Sequence, residues 1–239
     1  MNRIIVFALM FFCMTMQIEA QTLSEEEVTA KMYQAFELNK AAKKAEALEL
    51  FLIVGENTKQ QRNEGERQVY VCSQTMACQC YELLGRYKEG YLLGKSLLQG
   101  KLNDTERKDV GHLYAMNGYM YACEFIQRDE KGRADYKRGR ELISEILPYS
   151  DGQVKEYAET KIPLSWYFEG AQYAMTQSYD EALSSYEEAL NGFRDLGRVS
   201  EEVDVLSGIA SVKAHLCKFD EAKRVYYQAF VLAHQNGKV

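Results

Sequence analysis

The feature that most constrains this chain is a pattern of small and aromatic side chains within residues 166–190. Their spacing is that of two antiparallel helices joined by a short turn. The small Gly170 lets the second helix approach the first, and Ala182 is expected at their closest crossing. Trp166 and Tyr173 fill the groove between the two helices. The residues of the pattern are Trp166, Gly170, Tyr173, Ala182, Tyr186, Ala189 and Leu190. One such hairpin buries little apolar surface alone, so a stable fold needs the pattern to recur.

The pattern does recur, and each copy is marked by a small residue at the expected helix crossing. Residues 219–229 repeat residues 179–189 forty positions later. The matching small and aromatic residues are Ala222, Tyr226 and Ala229. The five small anchors, which lie 43, 49, 43 and 40 residues apart, are Ala47, Gly90, Gly139, Ala182 and Ala222. These spacings exceed the roughly 34 residues of the standard repeat, so longer helices or turns are expected.

These motifs resemble the tetratricopeptide (TPR) repeat, in the long-period subfamily found in bacterial signalling proteins. The resemblance implies an all-α superhelix, or α-solenoid, of about five helix-turn-helix repeats within one domain over residues 21–239. The repeats are predicted over residues 24–60, 62–101, 104–149, 151–196 and 199–236. The third carries a charged insert at residues 128–133, which we interpret as a longer turn or an extended helix end.

The first twenty residues have the layout of a secretory signal peptide. Arg3 supplies a positive start, residues 4–16 form an apolar run, and Ala20 is a small residue before a cut. An uncleaved membrane anchor would need about 20 apolar residues, and this run is shorter. We therefore expect an exported protein, periplasmic or extracellular, that begins at Gln21 and has no membrane span in its mature chain.

Composition and cysteine content narrow the function classes. The net charge of −6 argues against nucleic acid as a partner, because neutralising phosphates needs clustered Lys and Arg. The mature part has an odd number of cysteines, so at least one thiol is unpaired within a monomer. Buried small side chains are the favoured interpretation, and a bridge between Cys78 and Cys123 is left open.

Catalytic and metal-binding motifs are not found. The three histidines, His112, His215 and His234, have no second His or carboxylate at zinc-ligand spacing. No nucleophile elbow, P-loop or dinucleotide-binding glycine motif occurs. We predict no enzyme activity, no cofactor and no metal.

A protein-binding groove is instead implied by the family resemblance. In TPR proteins the first helix of each repeat lines the concave face, and its positions transfer to this chain. The candidate groove residues are His112, Tyr119, Gln79, Glu82, Tyr167, Met175 and His215. Tyr119 and Tyr167 could clasp a peptide, or they could pack on neighbouring helices. Met32 and Phe36 occupy the places where a TPR carboxylate clamp needs Lys and Asn, so that activity is not expected.

The last predicted helix, from Asp220 to about His234, is apolar nearly all round. Tyr227, Phe230 and Val231 are on a face that a terminal repeat would be expected to make polar. A partner, a second copy, or a longer architecture would cover such a face.

The leading hypothesis is a non-enzymatic, exported TPR module for protein–protein interaction, acting as an adaptor or sensor region in envelope signalling. It resembles the extracytoplasmic TPR region of Bacteroidetes sensor kinases and regulators. The alternative is a structural subunit that self-assembles through its exposed repeat ends, with no dedicated ligand groove.

Overall fold

The computed structural model describes residues 23–126 and 134–237. The predicted leader and the charged insert at 128–133 lie outside these residues. The described ranges contain ten α-helices, one short 3₁₀ helix and no strand, so the all-α prediction is confirmed.

Each predicted repeat range contains two consecutive helices. The helices are α1 Glu25–Lys40, α2 Lys44–Thr58, α3 Glu64–Leu83, α4 Tyr87–Leu98, α5 Asp104–Ile126, α6 Tyr136–Ile146, the 3₁₀ helix Leu147–Tyr149, α7 Gly152–Met175, α8 Tyr179–Asp195, α9 Val199–His215 and α10 Phe219–Gln235. With 23 and 24 residues, α5 and α7 are the longest of these helices, which contributes to the long spacing between anchors.

Five of the turns share one backbone conformation, although their sequences differ. Each has three residues, and the middle one is left-handed: Ala42, Gly85, Gln177, Gly197 and Cys217, with φ from 58° to 70°. In each turn the third residue donates its N–H to the carbonyl five residues back, as Ser178 does to Tyr173 and Lys218 to Lys213. This is the Schellman ending, which satisfies the last carbonyls of the first helix and sends the chain back antiparallel.

The described chain divides into two compact units, residues 23–80 and 81–237, with the boundary inside α3. The sequence analysis expected one domain. In the first unit, α1 packs on α2 around Ala35, Ala47 and Phe51, which are fully buried. The Phe36 ring meets the Phe51 ring edge to face at 5.4 Å.

In the second unit each helix from α4 to α10 packs mainly on its neighbours in the sequence. A partly exposed polar network lies beside the core formed by α4, α5 and α6. The Glu145 carboxylate accepts hydrogen bonds from the hydroxyls of Tyr91 and Tyr114, each at 2.8 Å, and pairs with Lys95 at 2.6 Å. Burial opposes ionisation of Glu145, but the hydrogen bonds from Lys95 and the two tyrosines outweigh it and lower its pKa.

The repeat-motif residues of α7 and α8 meet where the two helices cross. A Cβ at Gly170 would lie 2.9 Å from the Tyr186 ring and 3.2 Å from the Ala182 carbonyl, so only glycine permits this approach. Ala182 and Ala189 are fully buried. Trp166 is half-buried, with the Arg140 guanidinium 3.4 Å above its ring, and Tyr173 is partly exposed. On α10 the corresponding small residues Ala222 and Ala229 are buried, whereas Tyr226 is exposed.

Among the cysteines, Cys78, Cys80 and Cys123 are buried, while Cys72 and Cys217 are exposed. Burial raises the pKa of Cys78 to about 12. The described part of the chain contains no disulfide.

Candidate functional site

Within the second unit, α5, α7 and α9 are the first helices of their hairpins. Of these three, α7 has the most exposed apolar surface. Tyr157, Phe168 and Met175 are 51%, 40% and 74% exposed. Their separations of eleven and seven residues are close to whole helical turns, so the three side chains share one face. We define the α7 stripe as residues spaced alternately by four and three: Tyr157, Lys161, Leu164, Phe168, Ala171 and Met175. At 1.5 Å per residue the stripe is about 27 Å long.

The α7 stripe is held on a rigid base. Leu164 and Ala171 are half-buried and pack against the core of α8 and α9, and Phe168 between them is exposed. Pro163 is buried in the middle of the helix, and a Cβ on Gly192 of α8 would come within 2.8 Å of it. The close fit to α8 therefore determines which face of α7 is exposed.

On one side, the stripe continues onto α5 through aromatic stacking. The Tyr119 ring lies 6.3 Å from the Tyr157 ring, with an interplanar angle of 27°. Burial raises the pKa of the Tyr119 hydroxyl, and the neighbouring Cys123 adds to this effect. Burial also raises the pKa of Cys123, while the charge of Lys161 opposes the rise. Tyr119 is thus half-buried support for the exposed Tyr157.

On the other side, the stripe adjoins α9. Tyr167 is half-buried, with its ring 5.8 Å from the ring of Tyr186. Burial raises the pKa of Tyr167, and the negative charge of the exposed Asp204 raises it further. His215 is exposed at the end of α9, where it stacks on Tyr179 at 5.8 Å and 8°.

At the start of α7 the surface is polar. The Nδ1 atom of His112 lies 3.1 Å from a carboxylate oxygen of Asp151, and both side chains are exposed. Burial raises the pKa of Glu82, and the charge of His112 partly offsets that rise. Gln79 belongs to the first unit, where it is exposed.

The groove residues predicted from sequence therefore have different environments. His112, Met175 and His215 are exposed, whereas Tyr119, Tyr167 and Glu82 are half-buried. The family positions missed Tyr157 and Phe168, which are the exposed aromatic residues of the stripe. The spacing of apolar residues along one helical face could have indicated them.

The first unit contains a cleft of about 680 Å³ where the beginnings of α1 and α3 meet the end of α2. Several of its polar groups are used within the fold. Ser24 and Glu27 form a reciprocal capping box at the start of α1, and Arg62 bonds Glu66. Because these groups already form hydrogen bonds within the fold, fewer of them are available to a ligand than the list of lining residues suggests.

Within residues 23–126 and 134–237, no group of three or more His, Cys, Asp and Glu side chains could hold a metal ion. In the same ranges no helix is both long and apolar enough to span a bilayer.

A scan against models of known protein families finds no match, and a search of curated proteins also finds none. Among solved structures, the chain is similar to the Q17M form of a Podosopora anserina putative kinesin light chain with nearly identical TPR-like repeats. The identity is 14% and the TM-score 0.36, over 89% of this chain and 97% of that chain. The form without that substitution is similar at 13% identity and a TM-score of 0.35, with the same coverage. At such low TM-scores, the all-α assignment rests on the chain's own helices.

Proposed function

We propose that this chain is a non-enzymatic protein-interaction module that binds a peptide segment of a partner along the α7 stripe. The observation that carries this proposal is the alignment of Tyr157, Phe168 and Met175, all exposed, on one face of a well-anchored helix. Large exposed apolar side chains in line are characteristic of binding surfaces rather than of ordinary solvated helices.

The dimensions and chemistry of the α7 stripe fit a peptide. A length of about 27 Å matches about eight residues of an extended chain at 3.3 Å each, or about five turns of a helix. Rigid aromatic rings and a flexible Met side chain suit a partner that presents apolar anchors at regular spacing. Lys161 within the stripe and Asp204 beside it add charges of both signs.

The wider role that we propose is that of an adaptor or sensor region in envelope signalling. It is supported by the signal-peptide layout of the first twenty residues and by the resemblance of the repeat motifs to long-period TPR sensors. In this setting the partner would be another envelope protein.

Selection from a displayed peptide library tests the binding function. We expect the wild-type chain to enrich peptides with apolar residues at helical or alternating spacing, and Phe168→Ser with Met175→Ser to weaken their binding at least tenfold. The matched control is Leu92→Ser, because Leu92 is a comparably exposed apolar residue on α4. Helical circular dichroism should be unchanged in all variants. Failure to enrich any peptide, or equal binding by the double variant, would contradict the proposal.

Self-assembly is a second candidate function, and the surface of α10 favours it. Phe219, Tyr226, Tyr227 and Phe230 are all exposed on this one helix. Val231, which the sequence analysis placed on the same face, is half-buried instead. We propose that the chain self-associates through α10.

A further inference from the structure

The exposed aromatic and basic side chains of α10 form one continuous stripe. On a helix with 3.6 residues per turn, their positions fall within about 100° of the helix circumference. This arc borders the buried face of the same helix, which carries Ala222, Ala229 and Ala233. We define the α10 stripe as six exposed residues: Phe219, Lys223, Tyr226, Tyr227, Phe230 and His234. The rings of Phe230 and His234 lie 6.2 Å apart within it.

Tyr227 distinguishes the α10 stripe from a repeat position that is merely left uncovered. Tyr226 is the equivalent of Tyr186, so an aromatic ring there follows from the repeat pattern. The position equivalent to Tyr227 in α8 is Glu187, which is exposed to solvent. Tyr227 is 69% exposed and replaces that carboxylate with a ring. A large ring in place of a solvated carboxylate extends the apolar surface of α10 and favours contact with another molecule.

The spacing of the α10 stripe is the same when counted from either end. From Phe219 to His234, successive members are four, three, one, three and four residues apart. The midpoint therefore falls between Tyr226 and Tyr227. If two copies of α10 pack antiparallel about this midpoint, every member of one stripe lies opposite a member of the other. The α10 stripe is thus complementary in position to itself.

We infer that the occupant of the α10 stripe is the α10 stripe of a second copy of this chain, packed antiparallel about a two-fold axis between Tyr226 and Tyr227. This inference rests on the proposed self-association and specifies its geometry. Because both copies use the same surface, the interface is isologous and association stops at a dimer.

The pairs made by this packing are chemically complementary. They are Tyr226 with Tyr227, Lys223 with Phe230, and His234 with Phe219 of the second copy. Two tyrosine rings meet on each side of the axis, and aromatic pairs of this kind are favourable beyond their buried area. The Lys223 ammonium lies over the face of a Phe ring, as a cation–π contact requires. A parallel pairing would instead set Lys223 against Lys223, and like charges in an interface are unfavourable.

The two α10 helices lie farther apart than α8 and α9 do. In the chain, α9 comes close to α8 because a Cβ on Gly208 would lie only 2.9 Å from the Tyr186 ring. No member of the α10 stripe is small, so the axes of the two copies lie near the upper end of the usual 8–10 Å range, at about 10 Å. At that separation the rings and the Lys223 stem fill the space between the helices.

The exposed area fits a weak, reversible dimer. The four rings of the α10 stripe are between 46% and 69% exposed. At about 200 Å² for each ring, they present about 450 Å² per copy and about 900 Å² in the dimer. The stem of Lys223 and the ring of His234 bring the total close to the roughly 1,000 Å² that a specific interface needs. The dimer should therefore dissociate on dilution.

Sedimentation velocity over a range of concentrations tests the dimer, with the chain that begins at Gln21. Wild type should pass from monomer to dimer as its concentration rises. Tyr227→Glu should dimerise at least tenfold more weakly, because it places two carboxylates beside the axis. Tyr33→Glu, at an exposed tyrosine of α1, is the matched control and should dimerise as wild type does. Helical circular dichroism should be the same for all three proteins.

Cysteine cross-linking with a short bismaleimide tests the antiparallel arrangement, after the exposed Cys72 and Cys217 are changed to Ser. Tyr227→Cys should link to its own copy, because it lies beside the two-fold axis. His234→Cys should not, because its two copies lie about 22 Å apart along the dimer. It should instead link to Phe219→Cys when the two variants are mixed.

Leu92→Cys, at an exposed residue of α4, is the matched control and should not link to itself. The outcomes separate the two claims. A wild type that stays monomeric at every concentration would overturn both the self-association and its geometry. Suppose that the wild type associates but Tyr227→Glu has no effect, His234→Cys links to itself, or species larger than a dimer form. Self-association would then stand, and the antiparallel pairing of α10 stripes would be wrong.

Discussion

Helices α8 and α10 have the same repeat pattern but differ in how much of it is buried. Their small residues Ala182 and Ala222 are both buried, since each is covered by the first helix of its own hairpin. Tyr186 is covered by α9, whereas its equivalent Tyr226 is exposed. A position in the motif can therefore be structural in one repeat and available for binding in the next, depending on the following helix.

The largest expected difference between the two helices is in the aromatic residues themselves. Tyr186→Ala should destabilise the fold by about 3–5 kcal/mol, because it empties a buried site between α7, α8 and α9. Tyr226→Ala should cost about 1 kcal/mol or less, because an exposed side chain loses little packing. Urea denaturation followed by circular dichroism measures both. Equal losses would show that Tyr226 is buried in solution.

Substitutions at the small anchors should destabilise the protein by similar amounts in α8 and α10. Ala182→Leu and Ala222→Leu both add volume at a closed helix crossing, so each should destabilise by about 1–3 kcal/mol. The same denaturation experiment applies, with the exposed Ser184→Leu on α8 as the control for helix propensity and added apolar surface. If Ala222→Leu alone had the wild-type free energy of unfolding, α9 and α10 could not be closely packed at their crossing.

The smallest expected effect concerns the charges at the ends of the two helices. Arg194→Ala removes the ion pair with Glu202 and should cost about 0.2–1 kcal/mol, less at high salt. His234→Ala removes no ion pair found in the described residues and should change stability by less than about 0.5 kcal/mol. Thermal melts at low and high salt compare them. A salt-dependent loss for His234→Ala, at a concentration where the protein is monomeric, would reveal a partner for His234 within the chain.

Much of the hairpin architecture could be predicted from local patterns. Small anchors such as Ala47 and Ala222 indicate where helices cross, and the aromatic residues that follow indicate their faces. The turns were harder, because Ala42, Gln177 and Cys217 adopt a left-handed backbone without glycine. That conformation costs about 1–2 kcal/mol per residue, and the two helices that each turn joins impose it.

The residues transferred from the family positions overlap only in part with the α7 surface. Family positions led to Tyr119, Tyr167 and Met175, which all lie on or beside the exposed surface of α7. They did not lead to Tyr157 and Phe168, because a position transferred from another protein carries no information about which neighbours cover it here.

The sequence by itself determined that the chain forms consecutive helix pairs, because the signals for a helix, its crossing residue and its turn act over about twenty residues or fewer. Only the tertiary structure decided which aromatic side chains face solvent. The exposure of Phe168 on α7 and of Phe230 on α10 depends on where other helices pack. Two stretches with the same repeat pattern can differ in burial, because the surface removed from water depends on distant residues that pack against each stretch.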